Sequence, residues 1–98
     1  MNLPELDPII HQATRLRVLA LLSGVDEADF NFLSTALGLT DGNLSVHTSK
    51  LEQAGYLEIR KSFEGKLPKT TYRLTPRGRG ELERYWQALE ELRQTGEK

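Results

Sequence analysis

The chain has 98 residues, enough for one modest core. Its 28% charged and 38% hydrophobic residues place it with globular domains rather than disordered ones. The absence of cysteine excludes disulfides, thiolate metal sites and cysteine nucleophiles, and a net charge of −1 gives no overall pull towards nucleic acid.

Taken in chain order, Asp7-Pro8 predicts the start of a first helix, with Asp as N-cap and Pro at N1, where its missing N–H costs nothing. Ile9, Ala13, Leu16 and Ala20 then recur at helical spacing, flanked by Ile10 and Leu19. Val18 and Leu22 fall off that stripe, so the end of the helix is expected to be covered on a second side; Gly24 ends it. The apolar run Val18–Leu22 is far too short to cross a bilayer, and no basic segment followed by an apolar run opens the chain. A cytoplasmic location without a membrane is expected.

Asp29-Phe30-Asn31 leads into a short second helix from Phe32 to about Leu37, closed by Gly38. Only Leu39 and Thr40 separate that glycine from a third helix, which Thr40 can cap and along which Leu44, Thr48, Leu51 and Gly55 share a face. Two helices so closely joined through a Gly-containing turn are a helix-turn-helix signal.

After Gly55, Leu57 and Ile59 lie on one side of a half-buried strand, Tyr56–Arg60. Phe63–Lys69, with Gly65 and Pro68, reads as a seven-residue loop, longer than the roughly two to five residues usual in hairpins. Thr71–Leu74 alternates again and completes the hairpin, and Thr75-Pro76 repeats the cap-plus-Pro start for a last helix over 76–94. Residues 1–55 hold three Lys or Arg against seven acids, residues 56–80 hold seven against two, and residues 81–98 hold three against five. The cationic charge therefore sits in the hairpin segment, where a long basic loop suits a wing along a phosphate backbone. The expected fold is α+β, mostly helical: one winged helix-turn-helix domain over 1–98, with a three-helix core, a β-hairpin wing and a C-terminal helix.

The run Leu39-Thr40-Asp41-Gly42-Asn43-Leu44-Ser45-Val46-His47, with Lys50-Leu51-Glu52-Gln53-Ala54-Gly55-Tyr56-Leu57, resembles the recognition helix and following strand of winged-helix regulators. The stretch from Lys61-Ser62-Phe63 through Lys66-Leu67-Pro68-Lys69 to Thr75 resembles the wing of a short subgroup of the MarR/ArsR-like superfamily. His11 followed by Arg15-Leu16-Arg17-Val18-Leu19 is similar to that subgroup's first helix. The resemblance covers nearly the whole chain in order. It implies a winged-helix fold, sequence-specific binding of double-stranded DNA in transcription regulation, and a homodimer. Relatives in the wider superfamily often carry Arg or Lys at the position of Val46 and a larger apolar residue at that of Thr48. The first difference alters base reading; the second predicts a lightly packed spot beneath the recognition helix. Metal-sensing relatives use cysteine or histidine clusters, whereas His11 and His47 are the only histidines here, so no metal or other cofactor is expected.

On a wheel of about 100° per residue with Leu44 inward, Thr48 and Leu51 fall beside it. Gly42, Ser45, Val46, Ser49 and Gln53 fall opposite, flanked by Asn43 and Lys50. In the major groove, Asn43 and Ser45 would bond bases or phosphates, Ser49 and Lys50 would meet phosphates, and Val46 would meet a thymine methyl. Gly42 would permit close approach, and the helix N-terminus at Thr40 would receive a phosphate. The same residues also suit a plain solvated face. His47, at the edge of the core face, is expected to be packed and hydrogen-bonded near the second helix rather than to read a base or sense pH. Asn43-Leu44-Ser45 matches a glycosylation sequon and is read as chance.

Lys66, Lys69 and the outward-facing Arg60 are the wing's candidates for phosphate or minor-groove contact, with Arg73 on the same phase; the bland alternative is a solvated loop. Leu82, Tyr85, Leu89 and Leu92 form an a/d seam with Trp86 alongside. Part of it would close the subunit's own core, and the rest is expected to form a dimer interface presenting two recognition helices to a palindromic site. No catalytic set, phosphate loop or metal cluster is visible, so no enzyme is expected. The expected activity is repression by occupying an operator, with no effector legible; the alternative is a winged-helix module that docks an acidic protein without specific DNA binding.

Overall fold

A computed structural model describes residues 2–97. The chain enters the fold through an isolated turn. The Asp7 carboxylate accepts from the Ile9 N–H at 2.8 Å, and its carbonyl accepts from His11 N–H at 2.7 Å. Gln12 then adopts an extended conformation, and its side chain accepts from Arg15 N–H to cap α1, Ala13–Leu22. The start expected at Asp7-Pro8 is therefore corrected: that pair closes a turn, and the helix begins at Ala13. With the start displaced, the core face changes. Ala13 is exposed, Ile9 and Leu16 are half-buried, and Val18, Leu19 and Leu22 are buried. Ile10 still reaches the core, from the turn.

Strand β1, Ala28–Asp29, precedes α2, Phe30–Leu37, which the Asp29 carboxylate caps by accepting from Phe32 N–H at 2.8 Å. Gly38 ends α2 at φ 67°, a left-handed conformation that suits glycine. Thr40 Oγ1 accepts from Asn43 N–H at 3.2 Å to start α3, Asp41–Gln53. Leu44, Thr48 and Leu51 are its buried residues, as their spacing predicts. The Thr48 hydroxyl, 1% exposed, donates to the Leu44 carbonyl at 2.9 Å, so a buried polar group is satisfied within its own helix.

Gly55, at φ 82°, turns the chain into β2, Leu57–Glu64, which pairs antiparallel with β3, Leu67–Leu74. The register runs without a break from Leu57 opposite Leu74 to Glu64 opposite Leu67, leaving only Gly65 and Lys66 as the turn. The expected seven-residue loop is thus corrected to a two-residue one, with Gly65 supplying the positive φ of 66° at the first central position. Pro68 does not break the ribbon. Hydrogen-bonded and non-bonded pairs alternate from the closing pair, which puts Phe63–Pro68 at a non-bonded position. The missing N–H therefore faces the open edge. On that edge β1 pairs with β3 only at Tyr72 and Thr71, giving the order β1-β3-β2.

The Thr75 side chain accepts from Gly78 N–H at 2.9 Å and donates to the Gly55 carbonyl at 2.6 Å. With Pro76 at the first position it starts α4, Pro76–Thr95. The core gathers Val18, Leu19 and Leu22 of α1, Leu33 of α2, Leu44 and Leu51 of α3, Leu57, Tyr72 and Leu74 of the sheet, and Leu82 and Tyr85 of α4. No helix among the described residues is long and apolar enough to cross a membrane.

Candidate nucleic-acid interface

Helix α3 is held by its core face, so its other side is free for recognition. Thr40, Gly42, Asn43, Ser45, Val46, Ser49 and Lys50 are all exposed on it. Val46 is 55% exposed, and a methyl group added at Gly42 would meet open space. Small side chains there leave the backbone approachable. Asp41 lies in the first helical turn, where its carboxylate already complements the positive end of the helix dipole. A phosphate at that end would therefore meet a competing carboxylate.

One end of α3 is pinned from behind. Arg15 of α1 lies with a guanidinium nitrogen 3.3 Å from His47 Nδ1, while its other nitrogens donate to the Ile9 and Pro8 carbonyls. Burial, followed by the charges of Arg15 and Lys50, lowers the His47 pKa from 6.5, which favours the neutral ring that accepts from Arg15. His47 is thus a hydrogen-bonded histidine, with its partner on α1 rather than near the second helix.

The alternation of the wing sorts its cations onto two faces. Leu57, Ile59, Lys61 and Phe63 share one face with Leu74, Tyr72, Thr70 and Pro68; Glu58, Arg60, Ser62 and Glu64 share the other with Arg73, Thr71, Lys69 and Leu67. The first face turns towards α3. A cleft between them is lined by Ser45, Thr48, Ser49 and Glu52 of α3 and by Ile59, Lys61, Thr70 and Tyr72 of the ribbon. The small Thr48 contributes to this opening beneath α3. Burial raises the Tyr72 hydroxyl pKa, which keeps it neutral.

On the outer face the cations are paired. Arg60 and Arg73 both reach Glu58, each at 3.2 Å, and Lys69 reaches Glu64 at 3.1 Å. The bond to Glu64 raises the Lys69 pKa, with Asp29 and Glu27 adding smaller contributions of the same sign. Two of the three wing cations singled out from sequence, Arg60 and Lys69, therefore already hold carboxylates, while Lys66 occupies the turn. Among the described residues, Lys61 and Lys66 make no ion pair. Lys61 was not singled out from sequence, although its place two residues after Ile59 already put it on the inward phase.

On α4, Leu82 and Tyr85 are buried in the subunit's own core, and the Tyr85 hydroxyl pairs with His11 Nδ1 at 2.8 Å. Leu89 packs against the core edge, while Trp86 is 41% exposed and Leu92 37%. All described residues from Glu90 onward are exposed. The seam read from sequence therefore divides, with its first half inside the subunit and its second half on the surface. No group of three or more potential ligands among the described residues is placed to hold a metal ion.

Three packed helices, a two-stranded wing and an exposed third helix define a winged helix-turn-helix domain. The chain belongs to the winged helix DNA-binding domain family, whose model matches residues 14–93. It is 40% identical over 77 residues to an uncharacterized protein of Methanocaldococcus jannaschii, covering 79% of this chain and 84% of that protein. A transcriptional regulator homologue from Pyrococcus horikoshii OT3 superposes with a TM-score of 0.85 at 27% identity, over 92% of this chain and 89% of that one. A MarR-family regulator from Silicibacter pomeroyi shares the fold, with a TM-score of 0.65 at 23% identity over 89% of this chain and 57% of its own length. These solved relatives are described as transcriptional regulators, not enzymes.

Proposed function

We propose that this chain is a sequence-specific DNA-binding transcription regulator that acts as a homodimer on a palindromic operator and represses by occupying it. The observation that carries the reading is one continuous surface. It runs from the small polar face of α3 across the Ser45–Lys61 cleft to Lys66, and its wing cations are the ones free of ion pairs. Helix side chains enter the major groove while the wing meets the flanking backbone. Total charge does not oppose this, because counterion release depends on the cations at the contact rather than on the sum.

Trp86 and Leu92, on the part of α4 that leaves the core, support a symmetric dimer seam with Leu89 at its border. A two-fold dimer would present two α3 helices to half-sites about one helical turn apart. Selection of sites from random duplex with the purified protein tests the proposal, together with light scattering at micromolar concentration. An inverted repeat and a dimer mass are expected. Binding without sequence preference, or a monomer mass on the selected site, would overturn it.

A further inference from the structure

The two most exposed large apolar side chains flank the wing turn: Phe63 at 76% and Leu67 at 71%. Nothing in the fold needs them there. The ribbon is already held in register by its ladder and anchored by the buried Leu57, Tyr72 and Leu74, and both side chains stand beyond the last half-buried wing residues, Lys69 and Thr70. Exposed apolar surface of this kind at the end of an arm marks a contact.

We infer that the wing tip is an apolar minor-groove contact, in which Phe63 packs against the deoxyribose walls and base edges beside the half-site. The inference rests on the DNA-binding reading above and adds a specific residue to it. Two observations select DNA as the occupant. Phe63 lies on the ribbon face that carries Lys61 and Thr70 and faces α3, so the tip continues the surface already described. It also stands between Lys61 and Lys66, neither of which is ion-paired among the described residues. That arrangement of cation, aromatic ring and cation suits a narrow groove walled by two phosphate strands, where apolar wedges meet base steps and flanking cations hold the backbone. An apolar protein surface offers no match for the two lysines.

The test uses the full chain and the duplex selected from random sequence, in a long form and in a form trimmed to end before the flanking minor groove. Phe63→Ala is expected to weaken binding to the long duplex about tenfold or more, as loss of an aromatic contact to nucleic acid does, while the salt slope stays unchanged. Trimming is expected to cost the wild type a similar factor and the variant almost nothing. Phe63→Leu should retain most of the affinity. Binding by Phe63→Ala within about twofold of wild type, or an equal trimming penalty for both proteins, would overturn the inference, since about 1.4 kcal/mol separates each tenfold step. So would a change of solution mass in Phe63→Ala, which would assign the tip to a second copy of the chain. Wild-type protein that binds no duplex at all would instead bring down the DNA-binding reading itself.

Discussion

A guanidinium nitrogen of Arg15 stands 3.3 Å from His47 Nδ1, tying the first helix to the exposed recognition helix. The imidazole must be neutral to accept that hydrogen bond, and burial, Arg15 and Lys50 together hold its pKa below 6.5. On acidification the unfolded chain takes up this proton first, so the contribution is complete above pH 6.5 and fades as pH falls through the lowered value. Urea midpoints should therefore drop less between about pH 8 and about pH 5 for His47→Gln, which keeps an acceptor, than for wild type. Identical pH dependence in both proteins would show that this pair does not report on stability.

The sorting of wing cations predicts unequal effects of neutralisation. Lys61→Gln with Lys66→Gln should flatten the plot of log K against log salt by about 2, because each phosphate contact contributes roughly 0.9. Arg60→Gln with Lys69→Gln removes cations already paired with Glu58 and Glu64 and should change the slope by well under half that amount. A reversal of that ranking in duplex-binding titrations would refute the two-face reading.

Gly78 is the one helical glycine whose replacement by alanine should be costly. In most helix interiors the exchange stabilises by roughly 1 kcal/mol. Here the new methyl group would lie 2.2 Å from the Tyr56 carbonyl oxygen and 2.9 Å from Leu74 Cδ1. Backbone cannot yield as a flexible side chain does, so α4 would have to move away, at a cost of about 1–3 kcal/mol. Denaturant unfolding that finds Gly78→Ala as stable as wild type would contradict this close approach.

Thr75→Ala should cost about 1–2 kcal/mol, at the upper end for a helix cap. Its hydroxyl both accepts from Gly78 N–H and donates to the Gly55 carbonyl, so one substitution loosens α4 and the turn after α3 together. Thr75→Ser should restore most of the loss. The same assay checks both, and a loss that Ser does not recover would point to the methyl group instead.

If the outer half of α4 joins two subunits, Trp86→Glu with Leu92→Glu should yield a folded monomer by light scattering, with half-site affinity only. Neither side chain belongs to the buried core, so far-ultraviolet circular dichroism should be unchanged.

Features with short-range causes were legible in the sequence. Thr40 and Thr75 cap helices through atoms three residues away, Gly38 closes α2 through its own backbone, and Leu44, Thr48 and Leu51 follow one helical face. Features decided at a distance were not. Asp7-Pro8 carries every local sign of a helix start, yet the extended Gln12 ends that turn and starts α1 afresh. Strand β1 has two residues and exists only through Tyr72 and Thr71, far along the chain. Gly65 and Pro68 together suggested an open loop because the position of Pro68 in the ladder emerges only once the register is known. The candidate recognition helix could be read on its own, whereas the pairing of Arg60 and Lys69 needed Glu58 and Glu64 placed beside them.

The two-residue turn at Gly65-Lys66 gives the wing something like a reading frame. Strand faces alternate with a period of two, so deleting one residue between Ile59 and Glu64 would carry Lys61 or Phe63 to the far side, among the paired cations. Deleting two, one from each strand, would shorten the arm by one rung and keep the faces in phase. Wings of this design can therefore change length between relatives only in matched steps, and a chain that breaks the step must have moved its contacts elsewhere.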